Sequence, residues 1–235
     1  MAASLSLERL SLRVILAAAL FHVPASAARP QSVSCSASDW TVTGGTADER
    51  RLICEGVAKT EALLGSCGIT ASEPVDLVVA QSLLDFCGSK AHALFDSRDK
   101  TIAIAPLDVC ISEGIEKGYF DLLGPEIAYR SIAAHEAAHA ILDANGIRPK
   151  QWVGNEYVAA VAQYAAIPHQ DRDDLIVALM GPRPVAAAEI SGVIYGFAPL
   201  VFGAKSWLHY SAVPDPCAFL NDLVSGSFTF VDNRH

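Results

Sequence analysis

Ser131-Ile132-Ala133-Ala134-His135-Glu136-Ala137-Ala138-His139-Ala140-Ile141-Leu142 is the stretch on which the reading of this chain turns. It holds H-E-x-x-H in a setting that predicts helix. The segment is alanine-rich, has no internal proline or glycine, and is followed by Asn145-Gly146 as a stop. Helical spacing puts residues i and i+4 on one face, a turn apart, so His135 and His139 can aim their imidazole nitrogens at one ion. Zinc takes such nitrogens at about 2.0–2.1 Å, accepts a third protein ligand and keeps a position for water. Glu136, next to the first histidine, is placed to act on that water as general base. The competing reading is half-buried core, two histidines on an alanine-rich helix. A third ligand decides between them.

A candidate lies downstream in Trp152 to Gln163, a second helical segment read as opening at Asn155. Glu156 is a lone acid at the start of its apolar run. An acid there favours a helix N-terminus through the helix dipole. It would equally complete a His₂Glu zinc set.

His135-Glu136-x-x-His139 followed by Asn155-Glu156 on a second helix resembles the gluzincin branch of the zincin metallopeptidases. The resemblance covers roughly residues 92–166, under half of the chain. It implies His135, His139 and Glu156 as ligands of Zn²⁺, Glu136 as base and proton shuttle, and a peptide or protein as substrate. Two departures stand out. The gap from His139 to Glu156 is 17 residues, a little shorter than in the best-known members. Ala160 stands four residues after Glu156, where some members carry an aspartate behind the metal ligands. The other zincin pattern, H-E-x-x-H-x-x-G-x-x-H, fails at Leu142 and Asn145.

Further site residues are less sharply marked. Hydrolysis on zinc calls for a group that steadies the oxyanion, commonly a Tyr or His from a C-terminal element. His209 and Tyr210 are the candidates, with Tyr157 behind them; core packing is the alternative for each. Asp143, four residues after His139, either orients that histidine or faces solvent. His92 and His169 read as surface residues. Ala93-Leu94-Phe95 and Thr101 to Ala105 form a β-hairpin around a polar turn. The resemblance implies that this strand borders the cleft and pairs with substrate backbone; without it, the hairpin is ordinary sheet.

Residues 1–27 have the form of a signal peptide. Arg9 and Arg13 precede an apolar run from Val14 to Phe21 that is too short to span a bilayer, and Ala25-Ser26-Ala27 supplies a cleavage pattern. The expectation is export to the periplasm or exterior, with no membrane span after cleavage. Removing Glu8, Arg9 and Arg13 takes the formal charge from −9 to −10. An acidic chain without a basic run has no electrostatic attraction to nucleic acid or anionic membranes. All six cysteines follow the leader and none forms C-x-x-C, so three disulfides bracing the N-terminal half are expected.

Residues 28–235 are enough for a single domain, and with 51% hydrophobic residues it carries its own core. Thr46-Ala47-Asp48-Glu49 opens a helix that Gly65 ends, and Val75 to Ala80 reads as an interior strand. Asp171 to Met180 and Lys205 to Tyr210 read as helices, with an apolar cleft-lining segment at 185–204. The architecture is α+β: a small sheet and a zincin-type helix up to about residue 146, then a mostly helical lobe over 147–235. Three functions fit: a zinc metallopeptidase, a catalytically silent zincin-like binding module of the cell envelope, or a disulfide-braced structural protein with an accidental motif.

Overall fold

The computed structural model describes residues 31–35, 39–71, 73–82, 84–86, 89–113, 117–147 and 152–230. The signal segment and Cys87 lie outside the described residues. The architecture is α+β. A five-stranded sheet is built from β1 (Ser32–Ser34), β2 (Thr41–Thr43), β3 (Asp76–Val79), β6 (Ala93–Asp96) and β7 (Thr101–Ile104), in the order β1-β2-β3-β7-β6. β2, β3 and β7 run parallel, while β1 and β6 are antiparallel margins. A separate hairpin pairs β4 (Leu84–Phe86) with β5 (Ser89–Ala91).

The helix α1 (Ala47–Gly65) carries the chain from β2 to β3. Its start is the expected capping box: the Thr46 hydroxyl accepts from the Glu49 amide, and Glu49 accepts from the Thr46 amide. Two short helices, α2 (Leu107–Glu113) and α3 (Lys117–Leu123), lead to α4 (Pro125–Ala144), the helix of the H-E-x-x-H motif. Gly124, at φ 77°, and Pro125 start α4; Asn145 and Gly146, the latter at φ 79°, stop it. Beyond residue 147 all regular structure among the described residues is helical. It comprises α5 (Trp152–Ala166), α6 (His169–Leu179), a 3₁₀ turn, α7 (Gly192–Phe197), α8 (Pro199–Ala212) and α9 (Pro216–Ser225).

Helices cover one face of the sheet. Leu77 and Val79 of β3 and Ile102 and Ile104 of β7 are buried, whereas Asp76 and Val78 are exposed. β3, expected to be interior, is the central strand of the sheet, but its side chains alternate between buried and exposed.

The alanines of α4 let α1 approach closely. Ala133, Ala134, Ala137 and Ala138 are fully buried, and Thr60 of α1 donates to the Ala134 carbonyl at 2.9 Å. A Cβ on Gly56 would stand 2.4 Å from the Arg130 carbonyl oxygen. Gly56→Ala should therefore destabilise by about 1–3 kcal/mol through overpacking, against a helix-propensity gain of about 1 kcal/mol. Urea unfolding measures this, and a midpoint equal to or above wild type would refute the contact.

Among the described residues two disulfides join Cys35 to Cys54 and Cys67 to Cys217, while Cys110 is a buried free thiol. The expected three bridges bracing the N-terminal half are thus corrected. One does so, and the other ties the end of α1 to the start of α9. Such bonds form and persist in oxidising compartments. No helix among the described residues is long and apolar enough to cross a membrane, and the apolar segment 185–204 is broken into a 3₁₀ turn, α7 and the start of α8.

Candidate metal centre

His135 and His139 sit one turn apart on α4, and Glu156 faces them from the second turn of α5. Their Nε2 atoms are 3.1 Å apart, and Glu156 Oε2 lies 3.5 Å from His135 Nε2 and 3.7 Å from His139 Nε2. Bonds of about 2.0–2.1 Å to one tetrahedral ion put neighbouring ligand atoms about 3.3 Å apart. The three observed separations bracket that value.

The protonation pattern favours a cation in the same place. His135 Nδ1 is 3.0 Å from Gln163 Oε1, and His139 Nδ1 is 2.8 Å from Asn155 Oδ1. Amide oxygens only accept, so each Nδ1 carries the hydrogen and each Nε2 presents a lone pair. Glu156 Oε2 is buried and has no hydrogen-bond partner. Three electron-rich atoms thus converge. Burial pushes the Glu156 carboxyl up, but the positive charge available on His139 and His135, with contacts from His135 and Tyr195, outweighs it and holds it at about 2. The same carboxylate, against the opposing effect of burial, raises the affinity of His135 for a proton. His135, His139 and Glu156 can hold a metal ion.

Glu136 is buried beside this centre, its Oε2 accepting the Phe95 amide hydrogen at 2.8 Å. β6 is the margin of the sheet. The His92 carbonyl accepts from Ala105 at 2.7 Å, and antiparallel alternation then turns Leu94 and Asp96 toward β7 and Ala93 and Phe95 outward. A cleft runs between this margin and the α5–α7 wall. One lobe of about 360 Å³ is bounded by His92, Ile132, Gln163 and Gly196; the other, about 580 Å³, by Phe95, Asp143, Asn155 and Glu156. Glu136 and Tyr195 line both.

Several site residues escaped the sequence. Asn155 does not open α5, which begins at Trp152; it sits within the first turn and holds His139. Gln163 holds His135 where Ala160 left a gap. It lies seven residues after Glu156, on the same helical face as position 160. Tyr195 hydrogen-bonds the Glu156 carboxylate. Gly192 makes that placement possible, because a Cβ there would meet Trp152 at 2.2 Å. Nothing in the apolar run around Tyr195 marked it beforehand.

His209 and Tyr210 are not brought to the cleft. His209 Nδ1 is 2.8 Å from the Tyr157 hydroxyl within a cluster of Phe219, Phe228 and Phe230, and Tyr210 stacks at an angle on Trp207. Both belong to the packing of α5, α8 and α9, which the aromatic ends of α8 and the C-terminal segment complete. Asp143 pairs with Lys100 of the β6–β7 turn, so Asn155 alone takes the place proposed for it. His169 is exposed and pairs with Asp173, but His92 is half-buried at the cleft, with its ring edge-on to Phe120.

No curated protein and no solved structure matches this chain. A family model spanning residues 40–233 does, and it includes α4, α5 and α7 with every residue of the centre. The chain belongs to that family, described as a family of unknown function, DUF6639.

Proposed function

We propose that this protein is an exported zinc-dependent peptidase. The observation that carries the reading is the convergence of two imidazole lone pairs and an unpartnered carboxylate oxygen at tetrahedral spacing, with a carboxylate beside them at an open strand margin. Nitrogen and carboxylate ligands in a set of three, with room for a fourth, suit zinc. Bound there, zinc supplies Lewis acidity, polarising a carbonyl oxygen and acidifying water.

The chain's own residues do the rest. The outward groups of β6 other than the Phe95 amide, which Glu136 occupies, bind an extended peptide by strand pairing, which orients its backbone along the cleft. Glu136 accepts the proton of the attacking water and returns it to the leaving amine. The Phe95 amide fixes one oxygen of Glu136 and leaves the other for that exchange. Tyr195, which lines both lobes of the cleft, gives its hydroxyl proton to the Glu156 carboxylate and so orients that ligand. A silent binding module drew its support from Ala160 and from the lack of an oxyanion group. Gln163 holds His135 where an acid at position 160 was missing, which removes the first of these supports and puts the catalytic reading ahead of it.

The test is zinc per chain, by elemental analysis of protein made in an oxidising compartment, beside cleavage of a diverse peptide library. About one zinc in wild type is expected, with at least about a tenfold loss of affinity in Glu156→Ala and cleavage by wild type alone. Bound zinc without cleavage would select the silent binder. No zinc after addition would remove both readings.

A further inference from the structure

The bond from His135 to Gln163 is the near end of a longer chain. Gln163 Nε2 donates to the Tyr119 hydroxyl at 2.9 Å, Tyr119 lies 2.6 Å from Ser131 Oγ, and Ser131 Oγ donates to the Ala128 carbonyl at 2.7 Å. Tyr119 and Ser131 are completely buried, so no solvent competes for these protons.

Its direction is set from the far end. A carbonyl oxygen cannot donate, and two lone pairs would repel at 2.7 Å, so the single Ser131 proton points at Ala128. Ser131 must then accept from Tyr119. With its proton committed, Tyr119 accepts from the NH₂ of Gln163. That orients the amide, turning its oxygen to His135 Nδ1 and leaving Nε2 bare toward Glu156 and His139. With the amide reversed, its NH₂ would meet Nδ1, the ring hydrogen would move to Nε2, and a metal could no longer be bound there.

We propose that Ser131 and Tyr119 are positioning residues that set the tautomer of His135, and with it the metal affinity of the centre. The inference rests on the metal-site reading. Both act on His135 through Gln163, Ser131 by way of Tyr119. Ser131 is also in the sequence stretch of the motif itself, four residues before His135, and reads there as an unremarkable helix residue.

Ser131→Ala removes the acceptor for the Tyr119 proton. Tyr119 is then free to donate to Gln163, and the amide is free to turn. Tyr119→Phe reaches the same end by leaving the Gln163 NH₂ without its partner. The decisive partner variant is Gln163→Glu, because a carboxylate accepts on both sides and has no wrong orientation. Zn²⁺ affinity is measured on the full chain by competition with a chromophoric chelator, and folding is checked by far-UV circular dichroism. Ser131→Ala and Tyr119→Phe should each bind Zn²⁺ about 10–100-fold more weakly than wild type. Ser131→Ala combined with Gln163→Glu should recover most of that loss.

A role in packing alone would leave the double variant as weak as the single one, and that result overturns the proposal. So does an affinity unchanged in both single variants. If one single variant fails to fold, the other carries the comparison with Gln163→Glu. Wild-type protein that binds no Zn²⁺ would instead remove the metal-site reading itself.

Discussion

Glu136→Gln is expected to keep one zinc per chain and the native fold while losing peptide hydrolysis by at least about a hundredfold, the lower end of what general acid–base catalysis contributes. The substitution separates two roles of this side chain. Its contact with the Phe95 amide needs only an acceptor oxygen, which glutamine retains, so the margin of the sheet stays where it is. Proton exchange needs a basic oxygen, which glutamine lacks. Neither role is metal binding, since His135, His139 and Glu156 supply the donor set. Turnover is measured on the substrate that the peptide library yields, with zinc determined on the same sample. Activity within a few-fold of wild type would remove Glu136 from the mechanism, and with it the peptidase proposal in this form.

Replacing Cys67 and Cys217 together by serine should cost about 5 kcal/mol of stability. The bridge spans a sequence separation of 150, against 19 for Cys35–Cys54. Loop-closure entropy then favours the longer bridge by about 2 kcal/mol, so losing the shorter one should cost about 3 kcal/mol. The local structure points the same way. α9 is seated on the end of α1 by this bond and by Asn221, which donates to the Cys67 carbonyl at 3.1 Å. On its other side, Leu223 of α9 meets Gly154 of α5, two residues before Glu156. Unfolding in guanidinium measures both double-serine variants against wild type. Equal losses, or a larger loss for Cys35–Cys54, would refute the ranking. A stability change below about 1 kcal/mol at Cys67–Cys217 would refute the tether.

The clustering of His135, His139 and Glu156, which could hold a metal ion, was legible because its information is local. His135, Glu136 and His139 need only the helical repeat, and Glu156 needs only to be the acid that a second helix offers. The elements were legible for the same reason. The capping box at Thr46, the stop at Asn145-Gly146 and the hairpin of β6 and β7 all declare themselves within a few residues. What the sequence did not disclose depends on long-range placement. The parallel pairing of β3 with β7 and the Cys67–Cys217 bridge join segments far apart in the chain. Tyr195 reaches the centre because Gly192 lets α7 settle on Trp152, a contact between helices that no spacing rule encodes. His209 and Tyr210 failed for the converse reason. Their chemistry suits an oxyanion, but the aromatic cluster at Phe219 and Phe230 claims them for packing.

The contact between Glu136 and Phe95 also bears on how the molecule behaves among its own copies. A sheet margin with bare amide groups invites strand addition by a second molecule, the first step toward insoluble assemblies. β6 is only four residues long, and one of its two outward-facing N–H groups is plugged by a carboxylate of the same chain. A charged plug is a poor template for a neighbouring strand. The opposite margin, β1, is shorter still at three residues. Protection from aggregation and readiness for an extended ligand therefore meet at one side chain, which guards the margin from casual partners while standing at the entrance to the cleft.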